Sequence, residues 1–264
     1  MSILRRAKAP ISEEAWKEID EQARRCLESI LSVRRFADVV GPKGLDYAAV
    51  PLGRLAMSKD TSESGARYGV TQSQPLVEVR VPFELSRWEL DNITRGARDV
   101  DLEPLEKAAW EAARFEEEAV YKGLEQAKIP ALDNASEHAT VSVGSDRSEI
   151  VPAVAAAVTQ MRKSMIEGPY ALVVTEPLWL ELQSAINGRP MKHHVEYLLG
   201  GPVIFSPFIE RSMLTSLRGG DLELVLGQDL SIGYESHDTE TVQLYFTESF
   251  TFRVLDPKTV LIFS

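Results

Sequence analysis

The sequence Arg-Gly-Gly-Asp at Arg218–Asp221 is the stretch most similar to a phosphate-binding loop, because paired glycines let backbone amides surround an anion. It lacks the Lys-Ser/Thr pair of a P-loop, and a strand-like pattern follows it instead of a helix. Two glycines before a strand are typical of a hairpin turn. The sequence therefore favours a turn over a phosphate site.

Two further stretches carry side chains that bind metals elsewhere. His193 and His194 are adjacent, so on a helix they point about 100° apart and do not face one ion. Glu116–Glu118 could suggest a carboxylate iron site, but that chemistry needs a Glu-x-x-His partner and the first histidine is His138. Both stretches are interpreted as solvated helix faces, and no metal site is predicted.

No enzyme signature stands out elsewhere in the chain. The sequence contains no Walker A loop, no G-x-G-x-x-G turn, no H-E-x-x-H and no G-x-S-x-G. Serine, histidine and aspartate are present, but no local pattern raises any of them above background. We therefore expect a protein without catalytic residues and without a required cofactor.

Composition limits the partners and the compartment. The 264 residues are 44% apolar and 26% charged, which is typical of a globular protein. Forty acidic against 29 basic residues give a net charge of −11, which disfavours a nucleic-acid surface. The single Cys26 excludes an intrachain disulfide, and no apolar run has the length of a signal peptide or a membrane span. These features predict a cytoplasmic protein with neither nucleic acid nor membrane as partner.

Helical periodicity marks two elements in the first half of the chain. Ser12 is a good N-cap for an amphipathic helix with apolar residues at Trp16, Ile19, Ala23, Cys26, Leu27 and Ile30. The longest helical pattern runs from Asp101 to Gln126 and predicts a spine helix nearly 40 Å long. Shorter helices are predicted over residues 148–168, 176–186 and 191–200.

Strand patterns are interleaved with these helices. Residues 75–85 alternate cleanly between apolar and polar, but Pro82 cannot donate to a ladder, so an arm or an edge strand is predicted. Further strands are predicted over residues 170–175, 203–205, 212–217, 222–226, 241–254 and 259–263. The mixed order of elements indicates the α+β class.

Six blocks of the sequence carry a resemblance. The C-terminal block is "LGQDLSIGYESHDTETVQLYFTESFTF", and the others, in chain order, are "KAPISEEAWKEID", "RRFADVVGPKG", "PLVEVRVPFELSRWELDNITRG", "IEGPYALVV" and "RGGDLELVLGQDLSIGYE". In content and order they resemble the encapsulin shell proteins of the first, linocin or bacteriocin-type, family. The resemblance implies the fold of tailed-phage major capsid proteins of the Hong Kong 97 type. It divides the chain into residues 1–47, an N-terminal helix and link in the peripheral domain; 48–86, the extended arm; 87–130, the peripheral domain with the spine helix; 131–220, mainly the axial domain; and 221–264, return strands.

The resemblance also implies a function. Family members self-assemble in the bacterial or archaeal cytoplasm into an icosahedral shell, here expected to have 60 copies and T=1 symmetry. The shell encloses a cargo enzyme held by its C-terminal targeting peptide. A ferritin-like cargo for iron storage is favoured, and a dye-decolorising peroxidase cargo is the alternative. A viral capsid protein is a further alternative, disfavoured by the charge of −11 and by the absence of a scaffolding segment before Ser12.

Three sets of site residues follow from the resemblance. The cargo-peptide groove is implied at Leu27, Ile30, Arg34, Asp38, Asp229, Leu230 and Ile232, although these residues could instead only hold the helix onto its own domain. The five-fold pore loop is implied at Ser184, Ala185, Ile186, Asn187, Gly188, Arg189, Pro190, Met191 and Lys192, which could also be an ordinary turn. Trp88 matches a tryptophan on which some members stack a flavin, and it could equally pack against a neighbouring subunit.

Overall fold

Helices and strands alternate along the chain in the computed structural model, which describes residues 3–58, 65–144, 146–186 and 189–264. The helices are α1 Glu13–Ile30, α2 Arg87–Thr94, α3 Glu103–Tyr121, α4 Ile150–Lys163, α5 Glu176–Gln183 and α6 Met191–Leu199. The strands are β1 Asp38–Val40, β2 Ala49–Met57, β3 Gly69–Pro75, β4 Val77–Ser86, β5 Tyr170–Val174, β6 Ala185–Ile186, β7 Arg189–Pro190, β8 Val203–Phe205, β9 Met213–Ser216, β10 Leu222–His237, β11 Thr241–Val254 and β12 Val260–Ile262. The mixed α+β class is confirmed. Within the described ranges, no helix combines the length and the apolar character needed to span a bilayer.

Two four-stranded sheets organise the fold. The first has the order β1-β10-β11-β4, and helices α1 and α3 cover one of its faces. The second has the order β12-β9-β5-β8 and packs one face against α4, α5 and α6. A separate apolar cluster joins the two sheets to the C-terminal turns of α3. The N-terminal and C-terminal parts of the chain therefore share one sheet.

The segment from residue 48 to residue 86 divides between two structures. Strands β2 and β3 pair with each other in a two-stranded sheet, which forms the arm. Strand β4 instead pairs with β11 at the edge of the first sheet, with Phe83 and Leu85 buried in its core. Pro82 is tolerated because an edge strand has one side free of ladder hydrogen bonds. The edge-strand expectation is thus met, whereas the predicted arm includes a strand that belongs to the sheet.

Helix α3 is shorter than the predicted spine helix of residues 101–126. It contains 19 residues, about 28 Å at 1.5 Å per residue, and its C-cap is Lys122. Gly123 then adopts a φ of 81°, and the chain turns back through a bridge between Leu124 and Ile129. A Cβ atom at Gly123 would lie 2.8 Å from the Ala131 backbone nitrogen and 3.0 Å from the Ile129 oxygen. The close turn therefore sets the end of the helix.

Substitution of Gly123 tests this explanation. Gly123→Ala combines a left-handed backbone with a steric clash, and we expect it to lower the free energy of unfolding by about 2–4 kcal/mol. Gly96→Ala is the matched control, because Gly96 also has a positive φ of 93° but nothing within 4 Å of an added Cβ. It should cost only about 1 kcal/mol. Equal losses in urea-unfolding experiments would show that crowding at Gly123 is unimportant.

Candidate functional site

A groove of about 590 Å³ lies between α1 and the second half of β10. Its walls combine apolar side chains with charged groups at the rim. The lining residues are Leu4, Arg6, Asp20, Ala23, Arg24, Leu27, Glu28, Leu31, Arg34, Arg35, Asp229, Leu230, Ser231, Ile232 and Phe246. A larger cavity of about 880 Å³ lies near α5 and residues 263–264. Its lining includes Arg147 and Glu181, which form an ion pair.

The α1 wall follows from the amphipathic pattern of that helix. Ser12 caps the helix by accepting a hydrogen bond from the Ala15 amide at 3.2 Å, as the sequence predicts. Ile19 and Ala23 are buried against the sheet and α3, whereas Leu27, farther along the same stripe, is only half-buried and faces the groove.

The β10 wall depends on an irregularity in the strand. Pairing with β11 shifts register between Gln228 and Ser231, so Asp229 and Leu230 lie opposite Glu248 without regular partners. Such a bulge bends a strand and redirects its side chains. Here it brings both side chains to the groove, where the Leu230 amide donates to the Asp229 carboxylate at 2.8 Å.

Arg34 ties the floor of the groove to three other elements. Its Nη1 donates to Asp229 Oδ1 at 2.8 Å, and its Nη2 donates to Glu116 Oε2 at 2.6 Å and to Glu248 Oε1 at 2.5 Å. Both glutamates have no solvent exposure, while Asp229 remains half-exposed. One guanidinium therefore joins α3, β10 and β11 beneath the groove.

Three carboxyl groups around one cation imply that not all of them are ionised. Burial would lower the pKa of Arg34, but Glu116, Glu248 and Asp229 outweigh burial and raise it. Burial, together with repulsion from Glu116, holds the pKa of Glu248 well above its usual range. Its Oε2 is buried without a hydrogen-bond partner among the described residues. Among these three carboxyl groups, burial therefore favours the protonated form of Glu248.

Glu117 anchors the link that delivers Arg34 to this position. Its Oε1 accepts hydrogen bonds from the amides of Ser32 at 2.8 Å and Val33 at 2.9 Å, and the Ser32 hydroxyl donates to its Oε2. Burial raises the pKa of Glu117 to about 8, and the donors on Ser32 and Val33 oppose that rise. A carboxyl group on α3 thus fixes the backbone that follows α1.

The interpretation of Glu116–Glu118 as a solvated charge run is therefore wrong for two of its three members. Glu116 and Glu117 are fully buried, and only Glu118 is partly exposed, where it pairs with Arg114 and Lys122. Consecutive residues on α3 face different sides of the helix, and the sequence alone does not show that Arg34 and Ser32 lie opposite two of them. In the part of the chain that the structure describes, no group of three or more His, Cys, Asp or Glu side chains is arranged to hold an ion.

The protonation of Glu117 gives a prediction for stability. Because its pKa is raised to about 8, the folded protein binds this proton more tightly than the unfolded chain does, so the free energy of unfolding falls as pH rises from about 4.5 to about 8. Glu117→Gln mimics the protonated side chain and should remove about 3–5 kcal/mol of that decline. Urea unfolding at about pH 5 and pH 8 measures it.

Glu118→Gln is the control on the exposed side of the same helical turn, and it should leave the decline unchanged. An equal decline in the wild-type protein and in Glu117→Gln would contradict a protonated Glu117 in the fold.

The structure brings together five of the seven residues predicted for the groove: Leu27, Arg34, Asp229, Leu230 and Ile232. Ile30 does not line it, because its side chain packs against the cluster that joins the two sheets. Asp38 is also elsewhere: on β1, it accepts a hydrogen bond from the Gly220 amide at 2.5 Å. Arg34 lies there as predicted, but its guanidinium is already engaged by the three carboxyl groups.

The contact of Asp38 also explains the Arg218–Asp221 turn. The turn joins β9 to β10, which lie in different sheets, so the predicted hairpin is wrong. Arg218 pairs with Asp221 at 2.7 Å and with Asp256 at 3.1 Å, and these ion pairs fix the change of sheet. The glycines therefore form a structural turn between the two sheets.

Comparison with known proteins gives the family. The family described as "Encapsulating protein for peroxidase" matches residues 1–251. A type 1 encapsulin shell protein of Rhodococcus erythropolis is 38% identical over 99% of both chains. The chain belongs to the encapsulin shell protein family.

Solved structures confirm the capsid fold of this encapsulin. A virus-like particle from Pyrococcus furiosus matches with a TM-score of 0.68 at 15% identity, covering 94% of this chain and 99% of the other. The capsid of Myoviridae phage XM1 matches with a TM-score of 0.53 at 14% identity, covering 89% and 92%. The fold is therefore that of tailed-phage capsid proteins of the Hong Kong 97 type.

The loop predicted to line the five-fold pore is described only in part. Asn187 and Gly188 lie outside the described residues, and the backbone on either side of them forms the short β6–β7 pair. Met191 does not line an opening, because it is fully buried at the start of α6 in the core of the second sheet. Lys192 lies 4.9 Å from the Trp179 ring centroid and pairs with Glu196. The loop proper therefore ends by Pro190, since α6 begins at Met191.

Trp88 lies in the first turn of α2 and is 67% exposed. The Arg95 guanidinium carbon lies 5.6 Å from its ring centroid, which leaves much of the indole open. The histidine pair behaves as expected, because His193 and His194 are both exposed on α6.

Sequence reasoning missed Leu4 and Arg6, which line the groove from a segment before α1. No pattern marks them in the sequence, because they lie outside any periodic element. The aliphatic and basic types of "ILRR" were the only available signal.

Proposed function

We propose that this protein is the shell subunit of an encapsulin nanocompartment and has no catalytic activity of its own. The arm is the observation that carries this proposal. Leu55, Met57, Tyr68 and Val70 are each more than half exposed on or beside β2 and β3, and these strands pair with no other strand among the described residues. Apolar surface of this kind is covered on association with another chain. The fold and the family support a neighbouring shell subunit as the chain that covers this apolar surface.

The shell is proposed to be icosahedral, with 60 copies and T=1 symmetry, and to lie in the bacterial or archaeal cytoplasm. Sixty chains of 29.4 kDa have a mass of about 1.8 MDa. Mass photometry and electron microscopy should show hollow particles of this mass. Val70→Asp should shift the protein to small oligomers. A 29 kDa monomer in the wild type would contradict the shell, and nucleic acid inside the particles would favour the viral alternative.

We further propose that the groove faces the lumen and binds the C-terminal targeting peptide of the cargo. Leu27, Leu230 and Ile232 offer an apolar surface to aliphatic side chains, and the charged rim suits polar ends. For the cargo we favour a ferritin-like protein, because the net charge of −11 attracts iron cations. A peroxidase is the second candidate, since the family description names that enzyme.

Capture of the native cargo tests the groove. Shells purified from the source organism should contain a protein identifiable by mass spectrometry, with ferroxidase activity for the first candidate or a haem spectrum for the second. Leu27→Asp places a charge on the apolar surface and should reduce cargo per shell about tenfold without preventing assembly. Lys17→Asp, on the exposed face of the same helix, is the control. Equal cargo in both variants would exclude the groove as the site.

We propose flavin binding at Trp88 because an exposed indole can stack on an isoalloxazine ring. Shells incubated with flavin mononucleotide should quench its fluorescence in a saturable manner, and Trp88→Ala should abolish the quenching. Trp110→Ala is the control at another partly exposed tryptophan. Unchanged quenching in Trp88→Ala would contradict the site.

A further inference from the structure

The segment before α1, residues Ile3–Lys8, crosses one end of the groove, and we call it the strap. On the β10 side, the Leu4 carbonyl accepts a hydrogen bond from the Tyr234 amide at 2.8 Å. The Ile3 carbonyl accepts one from the Tyr245 hydroxyl at 3.0 Å. The Leu4 side chain lines the groove beside Leu27, Ile232 and Phe246. The strap therefore places an aliphatic side chain on the surface assigned to the targeting peptide.

On the α1 side, the strap is held by Arg6. Its guanidinium pairs with Asp20 at 2.7 Å and lies 3.9 Å from the centroid of the Trp16 ring. Both partners belong to α1, so the strap spans from one wall of the groove to the other. Arg5, between the two contacts, has a φ of 48°. A left-handed residue other than glycine costs about 1–2 kcal/mol, so the contacts of Leu4 and Arg6 must offset that strain.

Among the described residues, the second half of β10 has no strand paired along the edge opposite β11, and the strap lies on this edge. Strand β1 covers Glu223–Val225, and the amides of Lys43 and Gly44 continue the pairing to Leu226 and Gly227. Beyond the bulge, the Tyr234 amide on that edge donates to the Leu4 carbonyl. A short extended segment with a suitable side chain can add to such an edge.

We propose that the strap is an internal ligand of the groove, and that a cargo tail displaces it by making the same two contacts. This inference rests on the proposed cargo function. The tail would place an aliphatic side chain where Leu4 lies and a basic side chain, two residues later, against Trp16 and Asp20. An indole ring beside a carboxylate forms a specific site for the cationic side chain of Arg or Lys. The ligand class is thus an extended peptide with the pattern aliphatic-x-basic.

A reporter that carries the strap sequence tests the inference in the full-length shell. Green fluorescent protein with residues 3–9, ILRRAKA, at its C-terminus is co-expressed with the shell protein, and reporter per purified shell is measured by fluorescence. Wild-type shells should take up little reporter, because their own strap occupies the site. Leu4→Asp and Arg6→Ala shells, whose straps are weakened at either end, should take up about tenfold more.

Ala7→Asp is the matched shell control, because it adds the same charge to an exposed position of the strap outside the groove lining. A reporter whose tail carries L4D should enter no shell, and Asp20→Asn in the Leu4→Asp shell should remove the gain. Equal reporter in wild-type, Leu4→Asp and Arg6→Ala shells, or less in the variants, would overturn the inference. If Leu4→Asp does not assemble into shells, Arg6→Ala provides the same test at the other end of the strap.

The native cargo separates this inference from the function on which it rests. If the cargo is captured through Leu27 but its amount and the reporter content are the same with and without an intact strap, the internal ligand is wrong and the cargo function stands. If neither cargo nor reporter enters any shell, the groove is not a peptide site and both proposals fail.

Discussion

The buried guanidinium of Arg34 is the interaction on which the groove depends. It contacts α3, β10 and β11 at the same point, through Glu116, Asp229 and Glu248. Without this cation, the fully buried carboxyl groups of Glu116 and Glu248 would lie near each other in an interior of low dielectric constant, where an unpaired charge is unfavourable. The bulge of β10 would also lose the contact that holds Asp229 toward the groove. The apolar walls are thus positioned by a polar floor.

Removing these charged groups from water costs free energy, and this cost explains why so many hydrogen bonds surround Arg34. An ion pair in an interior is stable only when every charge and donor is matched, and a guanidinium with several donors can serve three acceptors. Glu117 likewise matches buried donors next to Arg34. It accepts hydrogen bonds from the backbone amides of Ser32 and Val33, where the chain leaves α1. Buried acids on one helical turn therefore control both the path of the backbone and the side chain that follows it.

Much of the fold could be predicted from the sequence because periodicity and capping are local. Ser12, the stripe of α1 and the bounds of β11 agree with the pattern. The end of α3 could not be predicted, because it depends on the close approach of Gly123 to the backbone of Ile129 and Ala131, in a turn that no periodic pattern marks. The extent of β10 was also missed: its bulge and polar second half hide the alternation on which strand prediction relies.

The site shows the same division between local and long-range information. Leu27, Leu230 and Ile232 were assigned through resemblance, and the structure gives them a common surface. The burial of Glu116 and the use of Asp38 in a turn depend on pairings across the chain, to which no local rule applies. Leu4 was missed because a single aliphatic residue outside any element carries no periodic signal.

The order of elements in the first sheet has a consequence for synthesis on the ribosome. Helix α1 emerges first, but its partner strand β10 is Leu222–His237, and Arg34 is 195 residues away from Asp229. Strand β4 must likewise wait for β11. Contacts of such long sequence separation form late, after nearly the whole chain has been made. A nascent subunit therefore has no groove, and recognition of another protein is restricted to chains that have left the ribosome.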